Sequence, residues 1–297
     1  MEPTPTISVC NLTKFYSKAP GVQDISFAVH QGEIFGFLGP NGAGKTSTIR
    51  MLLDLLRPSS GSISIFGRKI KNQSIEIRKR CGYLPGDFSA YGNMSGQEFL
   101  SFVAFMRKTG PGLRNHLIDR FQLSHDNLQK KIKYYSFGML QKLGIIQAFF
   151  HQPDLLILDE PTNGLDPLMQ EEFYRLLYET QNAGKTIFFS SHNLPEVEKV
   201  CHRIAIIKEG KLVALETMEG LKKKKLKRLK FRLGKPVQDL KLSGADLVKQ
   251  EHLNYEYLVE GEMKPLLQQL ALLPIEDLTF PEPDLEEVFM AYYRKGE

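Results

Sequence analysis

The sequence predicts an α/β fold: a mostly parallel sheet flanked by helices, an inserted helical subdomain and a small C-terminal α+β appendage. Three observations carry that expectation. Short β-rich runs alternate with helical patterns from Ile7 to Glu216, a stretch inside that span shows helical periodicity alone, and the character of the chain changes beyond Glu216. The expected organisation is a main body over residues 1–220, with the helical subdomain at about 87–140, and an accessory domain over residues 221–297.

Within the body, Ile34-Phe-Gly-Phe-Leu38 and Leu155-Leu-Ile-Leu158 are apolar at every alternate position and its neighbour. Strands of that kind are buried on both faces and belong at the centre of a parallel sheet. A helical run, Ser47 to Leu56, follows the first of them. In the inserted segment, Ser95 and Glu98 stand at capping-box spacing, and Phe99, Phe102, Val103 and Met106 predict one apolar helical stripe. Past the lysine run Lys222-Lys-Lys-Lys225, Leu229, Phe231 and Leu233 alternate with Lys230 and Arg232, which predicts a strand with a strongly basic outer face. Tyr255, Tyr257 and Val259 repeat the alternation, and Leu285, Val288, Phe289 and Tyr292 have helix spacing behind Asp284 as N-cap.

With 42% hydrophobic and 25% charged residues in 297, the chain has the composition of an ordered globular protein. No apolar run approaches the roughly 20 residues needed to span a bilayer, and the opening MEPTPTISVC lacks the basic and apolar regions of a secretory signal, so a cytosolic protein is expected. Cys10, Cys81 and Cys201 are too dispersed for a CxxC site or a disulfide framework and are expected to be reduced packing residues. Net charge is +5, but Lys222 to Arg232 contains eight Lys or Arg and no acid, leaving the remainder at −3. A nucleic-acid footprint on the body is not expected; the lysine run is either a solvated strand face or a contact for anionic lipid headgroups.

Gly39-Pro40-Asn41-Gly42-Ala43-Gly44-Lys45-Thr46 matches the phosphate-binding pattern G-x-x-x-x-G-K-[ST], after an apolar strand and before the helical run that Ser47 opens. Glycines let backbone N–H groups wrap phosphates without Cβ obstruction, and the following helix N-terminus presents its positive dipole end. The chain therefore reads as a P-loop NTPase in which Lys45 faces the β- and γ-phosphates and Thr46 holds Mg²⁺. Leu155-Leu-Ile-Leu-Asp159-Glu160 supplies the remaining parts: Asp159 reaches the Mg²⁺ shell, and Glu160 takes the proton of an attacking water.

With these motifs in this order, residues Ile7 to Glu216 resemble the nucleotide-binding subunits of ATP-binding cassette (ABC) transporters. The resemblance implies that Tyr16 stacks on adenine and that His192, after Ser190-Ser191, is the switch histidine at the γ-phosphate. It implies further that Ser136 and Gly138, in Tyr135-Ser-Phe-Gly-Met139, contact the γ-phosphate of ATP held by an opposite subunit. Asp166, in Asn163-Gly-Leu-Asp166, is implied to cross the same dimer interface, so the site is completed in a homodimer or heterodimer. Separate integral membrane permease subunits are the implied partners, with the chain peripheral on the inner face of the membrane. The ending Asp284 to Tyr293 resembles cassettes that serve six-helix exporters.

Two positions depart from the family pattern. Gly86 stands where relatives carry a Gln that touches Mg²⁺, with Asp87 beside it as a substitute oxygen donor, and Phe137 replaces a small residue, bringing an aromatic ring near the trans phosphate or the helical subdomain. Alternative functions are a soluble cassette ATPase of translation or DNA repair, and a weakly hydrolysing regulatory cassette in a heterodimer. Paired cassettes, coiled-coil insertions and zinc cysteines, the marks of the first, are absent from the sequence, and intact Lys45, Asp159, Glu160 and His192 argue against the second.

Overall fold

The computed structural model describes residues 5–17, 19–110, 112–223, 227–237, 240–259 and 263–281. The chain divides into two compact units, Met1–Met218 and Glu219–Glu297.

In the first unit the parallel sheet has six strands, in the order Lys211–Thr217, Arg203–Lys208, Ile34–Leu38, Thr186–Ser191, Leu155–Asp159, Cys81–Leu84. All neighbours are parallel except the hairpin formed by the first two. Ile34–Leu38, Leu155–Asp159 and Thr186–Ser191 are buried throughout. Their apolar content on both faces is the sequence feature that places them at the centre. Helices Lys45–Leu52 and Pro167–Asn182 follow two strands of this sheet across a P-loop and a short turn.

A second, antiparallel sheet was not expected from the sequence. It runs Ala19–Val29, Ile7–Tyr16, Ser60–Ile65, Arg68–Lys69, and its inward residues close one core with the parallel sheet. Phe27 stacks on Phe35 with ring centroids 5.6 Å apart, and Phe188 lies 5.4 Å from Phe37. The aromatic plug fixes the spacing of the two sheets.

The inserted segment is helical: Gly96–Arg107, Arg114–Arg120, His125–Gln129 and the long Phe137–Phe149. Ser95 and Glu98 form the capping box that their spacing predicts. The stripe is corrected. The buried face of Gly96–Arg107 carries Phe99, Leu100 and Ala104, whereas Phe102, Phe105 and Met106 are exposed, 78% in the case of Phe105. Phe102 meets Tyr91 edge-on at 6.0 Å, so apolar side chains gather on the outside of this subdomain. Periodicity locates an apolar stripe but cannot say whether its partner lies in the same chain.

In the second unit, an antiparallel sheet ordered Ala245–Glu251, Asn254–Val259, Lys227–Leu233, Ile275–Thr279 packs on helix Met263–Leu270. Leu229, Phe231, Leu233, Tyr255, Tyr257 and Val259 face the core. The outer face is not uniformly basic as expected. Glu256, cross-strand from Lys230, pairs with Arg228 and lies 3.4 Å from Lys230, while Arg232 pairs with Glu276 at 3.2 Å. Acids from the neighbouring strands interleave with the bases, which alternation within one strand cannot reveal. The side chains of Lys222–Lys225 and the helix expected from Asp284 lie outside the described residues.

Cys81 and Cys201 are buried, and burial pushes the Cys81 thiol up to about 12, so it is inert. Cys10 is exposed rather than packed. No helix among the described residues is long and apolar enough to cross a membrane.

Candidate active site

Strand Ile34–Leu38 delivers the chain to Gly39 at its C-terminal end, and helix Lys45–Leu52 begins six residues later. Two glycines in between are obligatory. A Cβ at Gly39 would lie 2.4 Å from the Ile207 carbonyl, and Gly44 has φ +106 with the Gly21 carbonyl 2.7 Å from where its Cβ would be. Gly42, at φ +82, has open space beside it instead. Gly44 is the N-cap of the helix and supplies no side-chain cap, which leaves N–H groups at the helix start available to an anion. Pro40 and Asn41 are exposed and Ala43 is packed.

Lys45 is 6% exposed. Its ammonium donates to the carbonyls of Gly39 at 2.6 Å and Pro40 at 3.2 Å, and lies 3.1 Å from Glu160 Oε1. Beside it, Thr46 Oγ1 donates to Asp159 Oδ2 at 2.8 Å, and the buried Ser190 hydroxyl donates to Oδ1 at 2.5 Å. Asp159 ends the buried strand, and Glu160 turns sharply at φ +48. A left-handed conformation at a non-glycine residue costs about 1 kcal/mol or more and is held by surrounding contacts: the Glu160 N–H donates to both the carbonyl and the hydroxyl of Ser190, each at 3.2 Å. That turn aims Glu160 Oε2 at His192 Nδ1, 2.7 Å away.

The parallel sheet thus brings Lys45, Thr46, Asp159, Glu160 and His192 together from the C-terminal ends of three adjacent strands. The residues fit a magnesium–nucleotide. Thr46 and Asp159 present hard oxygen donors side by side, and Glu160 Oε1 is buried beside the Lys45 ammonium.

Tyr16 ends strand Ile7–Tyr16 with its ring half exposed over Gly21, where a Cβ would come within 2.6 Å, and its hydroxyl lies 3.0 Å from Ser47 Oγ. The aromatic ring therefore borders the phosphate loop. Ser136 and Asp166 are both helix N-caps, accepting from Met139 N at 3.2 Å and Met169 N at 3.0 Å. The two caps are neighbours through Gly164: a Cβ at Gly138 would meet the Gly164 carbonyl at 2.8 Å, and one at Gly164 would meet the Phe137 ring at 2.3 Å. The Phe137 ring, 59% exposed, covers the Gly164 turn instead of pointing into the helical subdomain. Among the described residues, no hydrogen bond or ion pair joins Ser136, Gly138 or Asp166 to the Lys45 cluster. Gly86 sits beside Asp159, its Cβ position 3.6 Å from Oδ2, while Asp87 points away to Arg50 at 3.7 Å.

Several supporting residues had no sequence signal of their own. Ser190 anchors both acids, and Gln141, 2% exposed, donates to the Pro161 carbonyl at 2.7 Å. Glu196 accepts from Thr162 and Ser191 at 2.8 and 3.0 Å. Polar residues of this kind look like ordinary surface residues until the fold shows what they face.

Comparison with known proteins gives a consistent match. The family model described as ABC transporter matches residues 22–163. The bacitracin transport ATP-binding protein BcrA of Bacillus licheniformis is 42% identical over 231 residues, 76% of this chain and 74% of that protein. Among solved structures, the ATP-binding subunit of an ABC transporter superposes with a TM-score of 0.69 at 29% identity, covering 74% of this chain and 93% of that one. The dimeric structure of a bacterial ABC transporter cassette gives a TM-score of 0.66 at 20% identity, over 71% and 98%.

Proposed function

The chain belongs to the ATP-binding proteins of ABC transporters, which hydrolyse ATP to drive transport, and from that premise we propose a two-subunit cassette that powers an exporter from the cytoplasmic face of the membrane. The observation that carries the reading is the cluster at an uncapped helix start in which Glu160 meets both Lys45 and His192 and Thr46 donates to Asp159.

In this reading the N–H groups of residues 42–47 and the Lys45 ammonium receive the β- and γ-phosphates, and the Tyr16 ring supports the base. Thr46 and Asp159 hold Mg²⁺, whose charge would offset that of the phosphate oxygens when it is bound. Glu160 takes a proton from the attacking water, and His192 orients Glu160 and the γ-phosphate. Ser136, Gly138 and Asp166, at two neighbouring helix starts with no hydrogen bond to this cluster, serve the nucleotide of a second cassette; the dimeric bacterial cassette supports that arrangement. Because each site draws on two subunits, hydrolysis is coupled to association.

Exposed Tyr91, Phe102, Phe105 and Met106 give the helical subdomain an apolar outer surface suited to a membrane subunit. The relative named for bacitracin transport supports an exporter partner. Fractionation tests the proposal: co-expressed with its membrane subunit, the chain sediments with membranes, and Phe105→Asp releases it while phosphate release by the free chain persists. A chain that remains in the supernatant with its wild-type surface overturns the transporter arrangement.

A further inference from the structure

Glu160 and His192 come from different strand ends, and each sits on a loop, so their 2.7 Å contact requires something to hold the two loops in register. Glu196, in the first turn of the short helix Leu194–Val200, occupies the right place. Its Oε1 accepts from the Thr162 hydroxyl at 2.8 Å and from the Asn193 amide at 3.3 Å, and its Oε2 accepts from the Ser191 hydroxyl at 3.0 Å. Thr162 lies two residues past Glu160, and Ser191 and Asn193 flank His192 on either side. The Ser191 hydroxyl also accepts from Asn193 N at 2.9 Å, closing a turn around the histidine.

Thr162 and Ser191 are 3% and 0% exposed, so their hydroxyls have no water to fall back on, and a carboxylate is the acceptor able to take all three donors at once. We propose that Glu196 is a positioning residue for ATP hydrolysis: its carboxylate ties the loop carrying Glu160 to the loop carrying His192, and so fixes their mutual distance and direction. Glu196 hydrogen-bonds to Thr162, Ser191 and Asn193 and not to Glu160 or His192, so it acts through their neighbours. This rests on the roles proposed above for Glu160 and His192.

A residue that only sets geometry for the chemical step affects kcat and leaves substrate binding alone, and misplacement by about 1 Å costs up to about 10²-fold in rate. Glu196→Ala should therefore lower kcat for phosphate release about 10- to 100-fold with KM changed less than about twofold. Glu196→Gln keeps the size and one acceptor oxygen and should recover a large part of the rate. Thr162→Val removes only the cross-loop hydroxyl; it should lower kcat in the same manner, and in the Glu196→Ala background it should cost little more, because the link is already cut. These variants leave Lys45, Asp159 and the phosphate loop untouched, so ATP binding by calorimetry should match the parent.

If Glu196→Ala fails to fold, Thr162→Val against the parent decides the matter alone. Parental kcat in Glu196→Ala or in a folded Thr162→Val, a change confined to KM, or additive losses in the double variant would overturn the inference. Absence of hydrolysis by the parent would instead sink the proposed roles of Glu160 and His192, which keeps the two failures apart.

Discussion

Glu160→Gln separates binding from chemistry at this site. Lys45 and Glu160 are 6% and 12% exposed and 3.1 Å apart. At an effective dielectric of about 20, the attraction at that distance is about 5 kcal/mol. Desolvation of the two charges offsets most of it, and if about a quarter survives, roughly 1.4 kcal/mol must be given up when the triphosphate takes Lys45 away from Glu160. Gln has the same shape and no charge, so the variant should bind ATP about tenfold more tightly and, lacking its general base, release phosphate about 10²-fold more slowly or worse. Titration calorimetry and a phosphate-release assay on the same preparation read the two effects. Parental hydrolysis would remove Glu160 as the base, and unchanged or weaker ATP affinity would refute the displacement of the Lys45–Glu160 pair.

Other consequences concern stability and geometry. His151 is half-buried near the Arg107 guanidinium, and desolvation first and that charge second lower its pKa from 6.5 to about 4. The folded state therefore binds fewer protons there than the unfolded chain, so this contribution is complete above pH 6.5 and is lost as pH falls toward 4, up to about 3 kcal/mol; urea midpoints against pH should show that limb, and His151→Gln should flatten it. Phe188→Ala empties the aromatic plug between the two sheets, where Phe188 is fully buried, and should cost about 3–5 kcal/mol in equilibrium unfolding. Gly164→Ala places a side chain at φ +78 against the Phe137 ring and should lower stability by about 1–2 kcal/mol in the same measurement; a variant as stable as the parent would mean the turn is not held as described.

The centre of the fold was readable because it obeys local rules. Ile34–Leu38 and Leu155–Asp159 are apolar on both faces since both faces are covered, and the glycine spacing from Gly39 to Gly44 reflects backbone positions where a Cβ meets a carbonyl. The antiparallel sheet was not readable, because its alternating strands leave no mark of which edge they join. The outward turn of Phe102 and Met106 was hidden for a related reason: a helix stripe does not declare whether it faces its own core. In the second unit the interleaving of Glu256 with Arg228 and Lys230 depends on strand register, which no single strand contains. At the site, Asp159 and Glu160 announced themselves as adjacent acids after an apolar run, whereas Ser190, Thr162 and Glu196 became visible only when three strand ends met.

At the centre of the account is a phosphate-binding loop whose lysine, poised between two backbone carbonyls and Glu160, transfers to the nucleotide. Calorimetric titration of the purified chain with ATP and Mg²⁺ tests it most directly, with Lys45→Ala as the comparison. Saturable binding of one nucleotide per chain, weakened about 10²-fold or more in the variant through loss of a buried charge-assisted contact, is the expected result. No measurable binding by the parent, or equal affinity in both proteins, would contradict it.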